Sequence, residues 1–226
     1  MKKLGKAFLN KYGTHHTQTD NSNDNDSPKK NFTTALSIYR ISIQDGIPLE
    51  IPKFNNLYIG GIGSLLNTNV LKSLNITHII CATDLAKIPY QELNNNVTIL
   101  RISLTDQPNE IYCEALLNNI IPITNTFIKS ALDKNSRVLV HCFQGKSRAT
   151  SIIIAYMLYI NNINSLNSSS SSRSDNNNDH DGDSDTDVND CLDLIRQVRP
   201  NADPNSGFIE TLKKYFKKLK AGSKVK

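Results

Sequence analysis

His141-Cys142-Phe143-Gln144-Gly145-Lys146-Ser147-Arg148 is the stretch on which the reading of this chain turns. Immediately before it, Arg137 to Cys142 (RVLVHC) is a short, apolar, β-branched run that suits a strand buried in a parallel sheet. Immediately after it, Ala149 to Ile160 is apolar on almost every side and reads as a largely buried helix. A strand therefore delivers the cysteine, a tight polar turn follows, and a helix leaves from Arg148. That order makes a cradle of backbone N–H groups at a helix N-terminus, which is an anion site. Gly145 lets the backbone turn where a side chain would obstruct it. The N–H groups, the helix dipole and the guanidinium of Arg148 all favour the thiolate of Cys142, a nucleophile ready at neutral pH. Arg148 can grip two phosphate oxygens through its planar fork, which a lysine does less well.

Outward from this stretch, strands alternate with helices. Phe54 to Gly60 (FNNLYIG) reads as a strand ending in a glycine turn at Gly60, Gly61 and Gly63. Leu65, Leu66, Val70, Leu71 and Leu74 follow at roughly helical spacing. Ile76 to Cys81 and Val97 to Ile102 read as further strands. The second leads to Asp106, a carboxylate standing just before Pro108. From Ile111 to Leu132 the apolar spacing predicts a helix, bent near Pro122. Cys191 to Val198 predicts another, N-capped by Asp190 and stopped by Pro200. The last helix places Phe208, Leu212, Tyr215, Phe216 and Leu219 on one face with lysines opposite. The fold class is α/β, with a central, mainly parallel sheet flanked by helices and the site at the C-terminal end of the Arg137–Cys142 strand.

Not all of the 226 residues suit a packed core. The stretches 13–31 and 161–190 are rich in Asn, Ser and Asp and too poor in large apolar residues to offset the entropy of ordering them. The expected organisation is an N-terminal extension over 1–47, largely disordered, one domain over 48–220 interrupted by a disordered insert at 161–190, and a basic tail at 221–226. The net charge of +5 conceals an acidic insert, with Asp175 through Asp190, and a lysine-rich C-terminus from Lys213 to Lys226. Asn177, Asp179, Asp181 and Gly182 imitate the start of a calcium loop, but its closing position requires Glu and holds Val188, so calcium is rejected. Cys81, Cys113, Cys142 and Cys191 lie far apart, without zinc spacing, and fit a reduced intracellular protein. The basic start MKKLGKAFL carries too short an apolar run for a signal peptide, and Gly5 is misplaced for myristoylation. Ile152 to Ile160, the longest apolar run, is too short to span a bilayer.

The pattern His-Cys-x5-Arg resembles the signature of the protein tyrosine phosphatase superfamily, and HCFQGKSR followed by ATSIIIAYML is similar to its dual-specificity branch. Three further pieces match that branch in order: IPKFNNLYIGGIGS with LKSLNITHIICAT, LRISLTDQPNEI, and IRQVRPNADPNSGFIETLKKY. The resemblance implies that Cys142 attacks phosphorus and forms a phosphocysteine. It implies that Arg148 and the loop Phe143, Gln144, Gly145, Lys146, Ser147 bind phosphate, and that Asp106 protonates the leaving oxygen and then activates water. His141 is expected to hold Cys142 by hydrogen bonding, with no metal or other cofactor. A shallow pocket accepting phosphotyrosine, phosphoserine and phosphothreonine is implied, with few residues before the domain, as in atypical members. One position departs from the family: Ala149 stands where a Ser or Thr hydroxyl usually assists hydrolysis of the phosphocysteine. Thr150, about 100° further around the helix, is not an obvious replacement.

Two other functions stay open on sequence alone. Lys146 within the cradle is a feature of phosphoinositide phosphatases, although Phe143 and Gln144 are uncharged. A non-catalytic phosphoprotein-binding module is the second, and Ala149 leans towards it. The expected partners are phosphorylated proteins, a protein kinase among them, with no nucleic acid and no stable membrane insertion. The expected location is the cytoplasm, with nuclear entry left open by the C-terminal lysines.

Overall fold

A computed structural model describes residues 45–83, 97–169 and 184–223. Among these, β1 (Leu49–Glu50), β2 (Leu57–Gly60), β3 (Ile76–Cys81), β4 (Thr98–Arg101) and β5 (Arg137–His141) form one sheet in the order β1-β2-β5-β3-β4. β1 is antiparallel to β2, and every other pairing is parallel. The strand that carries the cysteine is thus the middle of the sheet.

Alternation along the strands divides the core in two. Leu57, Ile59, Ile80, Val138, Val140 and Cys142 belong to the larger cluster, whereas Tyr58, Ile79 and Leu139 belong to the smaller. The smaller is covered by α1 (Ile62–Leu66) and α2 (Thr68–Ser73). The larger is covered by α3 (Glu110–Ala115), a π-helical turn at Leu116–Ile120, α4 (Ile121–Leu132), α5 (Arg148–Ser169), α6 (Ser184–Arg196) and α7 (Ser206–Ser223). Burial on both faces is why β5 has no polar alternation. α5 runs through the centre of the larger layer, which explains its apolar run: Ile152, Ile153, Ile154 and Ala155 are all fully buried.

Several boundaries differ from the sequence expectation. The single helix expected over Leu65–Leu74 is two, because Asn67 ends α1 and caps α2, accepting from the Val70 N–H at 3.4 Å. The bend expected near Pro122 is resolved as the π turn just before it. Proline lacks an N–H and its ring crowds the carbonyl four residues back, and the widened turn relieves both. The stretch 161–190 is helical at both ends: α5 continues to Ser169, and α6 begins at Ser184, while 170–183 lies outside the described residues. Extending an established helix costs little per residue even for polar side chains, and this carries α5 past Ile160. On the other side Val188, Cys191, Leu192 and Ile195 form one buried stripe, so α6 starts before Asp190, which lies inside it and is not its cap. The expected extension 1–47 lies mostly outside the described residues; of the expected basic tail, 221–223 end α7 and 224–226 lie outside the described residues. Among the described residues no helix is long and apolar enough to cross a membrane.

Val188, completely buried, separates the two readings of this region. Val188→Asp should cost about 3 kcal/mol of unfolding free energy by leaving a charge unpaired in the core. The exposed neighbour change Asn189→Asp should shift stability by under about 0.5 kcal/mol. Urea unfolding measures both, and equal small effects would mean that the start of α6 does not pack.

Candidate active site

The stretch 142–147 joins the end of β5 to the start of α5, with Arg148 as the first helical residue. For its N–H groups to face inward, its carbonyls must turn outward and find donors there, since a buried carbonyl without one costs about 1–3 kcal/mol. Each of the six carbonyls has a donor. Cys142 O faces His141 Nδ1 at 3.3 Å, Phe143 O accepts from the Ile62 N–H at 2.9 Å, and Gln144 O accepts from Arg199 Nη2 at 2.6 Å. Gly145 O accepts from Thr150 Oγ1 at 3.4 Å, Lys146 O from the Asp203 N–H at 2.8 Å, and Ser147 O from the Ser151 N–H at 2.8 Å. Gly145 sits at φ 62°, the left-handed region, and a Cβ there would meet Gly60 O at 2.6 Å.

Inside the cradle, the Gly145 N–H donates to Cys142 Sγ at 3.2 Å. Arg148 Nη1 donates to Leu104 O at 3.3 Å, which aims the guanidinium across the mouth of the loop. Its Nε is buried without a hydrogen-bond partner among the described residues, 3.7 Å from Asp106 Oδ2. His141 is completely buried. Burial, opposed in part by its bond to Cys142 O and reinforced by the charge of Arg148, lowers its pKa to about 4. It is therefore neutral at physiological pH. Its proton is assigned to Nδ1, which donates to the cysteine carbonyl, so the ring positions Cys142.

Asp106 comes to the same mouth from the segment between β4 and α3. Its Oδ1 accepts from Ser147 Oγ at 2.6 Å and from Asn205 Nδ2 at 2.9 Å. Asn205 cannot turn over, because its Oδ1 caps α7 by accepting from the Phe208 N–H at 2.9 Å. Its own N–H donates to Ser147 Oγ at 3.2 Å. Asp106 Oδ1 therefore carries both of the carboxylate's hydrogen bonds, and Oδ2 is the oxygen that stands 3.7 Å from Arg148 Nε.

The structure thus brings Cys142, Arg148, Asp106 and His141 together. Ser147 contributes its hydroxyl to Asp106, and Lys146 turns its side chain away to Asp203, with Nζ 3.1 Å from the carboxylate. Gln144 is exposed, Phe143 half-buried, and Ala149 completely buried. The Thr150 hydroxyl is directed at the Gly145 carbonyl on the outer side of the loop. Sequence reasoning did not find Asn205, Arg199, Asp203 or Asp45 as participants. The first three lie in RPNADPN, which the resemblance had already flagged as a closing piece; for Asp45 there was no signal.

The residues 57–175 match the family model for the dual specificity phosphatase, catalytic domain. Dual specificity protein phosphatase 1 of Arabidopsis thaliana is 25% identical over 185 residues, which is 82% of this chain and 77% of that protein. The crystal structure of the Yvh1 phosphatase domain from Chaetomium thermophilum is 27% identical with a TM-score of 0.61, covering 76% of this chain and 96% of that one. That of DUSP15 is 25% identical with a TM-score of 0.54, covering 79% and 96%. With the match running from β2 past the cysteine loop and through α5, this chain belongs to the dual-specificity phosphatase family.

Proposed function

We propose that this protein hydrolyses phosphotyrosine, phosphoserine and phosphothreonine in phosphorylated proteins, through a phosphocysteine formed on Cys142. The observation that carries this reading is the loop itself, with six carbonyls held outward, N–H groups left for an anion, and a cysteine at its floor. Cys142 Sγ forms the bond to phosphorus as the phosphorus–oxygen bond of the ester breaks. Asp106 gives its proton to the departing oxygen, so the alcohol leaves neutral. Arg148 and the loop N–H groups take up the charge on the equatorial oxygens. Asp106, now a carboxylate, accepts a proton from water as that water displaces sulfur, and inorganic phosphate and thiolate result.

The lipid alternative is weakened by Lys146, the feature that suggested it. Its ammonium is already matched by Asp203, on the outer side of the loop. Phosphorylated proteins are therefore the substrate class, a protein kinase among the candidates.

The Ala149 departure acts on the second step. The residue after Arg148 carries no hydroxyl, and that of Thr150 is engaged with the Gly145 carbonyl. Breakdown of the phosphocysteine should be slow relative to its formation.

Three outcomes follow. Cys142→Ser should release no phosphate from phosphotyrosine or phosphothreonine peptide, whereas wild type releases it from both, more readily than from phosphoinositide. Faster lipid hydrolysis would overturn the protein reading. Asp106→Asn should lower kcat by about 10²–10⁴-fold on both peptides, and an unchanged kcat would place the proton donor elsewhere. Ala149→Ser should raise the steady-state rate and shrink the burst of the first turnover, and unchanged kinetics would remove Ala149 as the cause of slow turnover.

A further inference from the structure

Arg199 and Asp45 form an ion pair on the outer side of the phosphate loop. Arg199 follows α6, and its side chain is 5% exposed; Asp45 precedes β1, and its side chain is 15% exposed. Arg199 Nη1 donates to Asp45 Oδ1 at 2.9 Å and Nη2 to Oδ2 at 2.8 Å, a two-pronged pairing in which both guanidinium and carboxylate have fixed orientations. The same Nη2 donates to Gln144 O at 2.6 Å. The guanidinium also lies against Gly145, where a Cβ would be 2.7 Å from Nη2.

The segment around Asp45 is itself tied down at several points. Ser64 Oγ donates to Asp45 O at 2.9 Å, and Asn67 Nδ2 to Gly46 O at 3.0 Å. A Cβ on Gly61 would collide with the Asp45 carboxylate, so glycine there leaves the space that the carboxylate fills. The next residue, Ile62, donates its N–H to Phe143 O. Gln144 O is thus held by the guanidinium that Asp45 pairs with, and Phe143 O by the residue that follows Gly61.

We propose that Asp45 and Arg199 are positioning residues for catalysis: Asp45 fixes the Arg199 guanidinium, which holds the Gln144 carbonyl outward so that the following N–H groups face the phosphate. Neither residue meets the substrate. Without the pairing, the peptide units at Gln144 and Gly145 can rotate, and the cradle loses part of its donor set. The chain before the sheet is therefore part of the machinery that binds phosphate. The inference rests on the phosphatase reading, but its effect on anion binding is separate from turnover.

The test uses full-length chains carrying Asp45→Ala, Arg199→Ala, Arg199→Lys and the double alanine variant. Affinity for inorganic phosphate is measured by calorimetry, kcat and KM on a phosphotyrosine peptide, and the folded fraction by circular dichroism. Asp45→Ala should weaken phosphate binding and lower kcat per folded molecule by tenfold or more. Arg199→Lys should not restore the loop, since an ammonium lacks the planar fork that meets both carboxylate oxygens side by side while one arm also reaches the carbonyl. The double variant should be no worse than Arg199→Ala, because Asp45 acts only through Arg199. Normal phosphate affinity in folded Asp45→Ala, or additive losses in the double variant, would overturn the proposal. If Arg199→Ala does not fold, Asp45→Ala and Arg199→Lys decide it. A wild type that binds phosphate but releases none would overturn the phosphatase reading while leaving the binding comparison intact.

Discussion

An inward-facing ring of N–H groups requires an outward-facing ring of satisfied carbonyls, and much of this fold supplies them. Six carbonyls from Cys142 to Ser147 draw donors from β5, from α1, from the first turn of α5, and from the connection between α6 and α7. A loop of this shape cannot be specified by its own sequence, because a peptide unit is free to rotate unless both of its polar groups have somewhere to go. The central place of β5 follows from the same demand. From the middle of the sheet the loop can be reached by α1, which follows the neighbouring β2, and by the larger helical layer.

The connection at 199–205 supplies two of these six donors and also ties the loop to Asp106. Arg199 serves Gln144 O, the Asp203 N–H serves Lys146 O, and Asn205 reaches both Ser147 and Asp106. Just beyond it, Gly207 packs so closely that a Cβ would lie 2.7 Å from Pro108 and 2.8 Å from Cys113 Sγ. One short segment thereby fixes the position of Asp106 relative to the loop that carries Cys142. The two residues come from distant parts of the chain, and the proposed reaction requires their separation to be constant.

What was legible in the sequence was what is local. RVLVHC, the turn and the apolar helix after it describe β5, the loop and α5 correctly, because the apolar pattern and the positions of Gly145 and Arg148 are decided within a few residues. The parallel sheet followed from the order of the same elements, and Asp106 was singled out by the resemblance of LRISLTDQPNEI to the family's acid-bearing loop. Contacts made at a distance were not legible. Arg199 meets Asp45 across 154 residues and Gln144 across 55, and no periodicity records such a pairing. The two-residue β1 was too short to show alternation, and the polar ends of 161–190 concealed helix because composition does not register the Val188 stripe. The pairing of the Lys146 ammonium with Asp203 is tertiary and likewise left no mark in the sequence.

The central claim is that this loop makes Cys142 the nucleophile and phosphocysteine the intermediate. The most direct measurement is mass spectrometry of wild type quenched in acid during turnover of a phosphotyrosine peptide. One phosphoryl group on the fragment containing Cys142, absent from Cys142→Ser, is the predicted result. Steady release of phosphate with no labelled cysteine at any quench time, or label on another residue, would contradict the account.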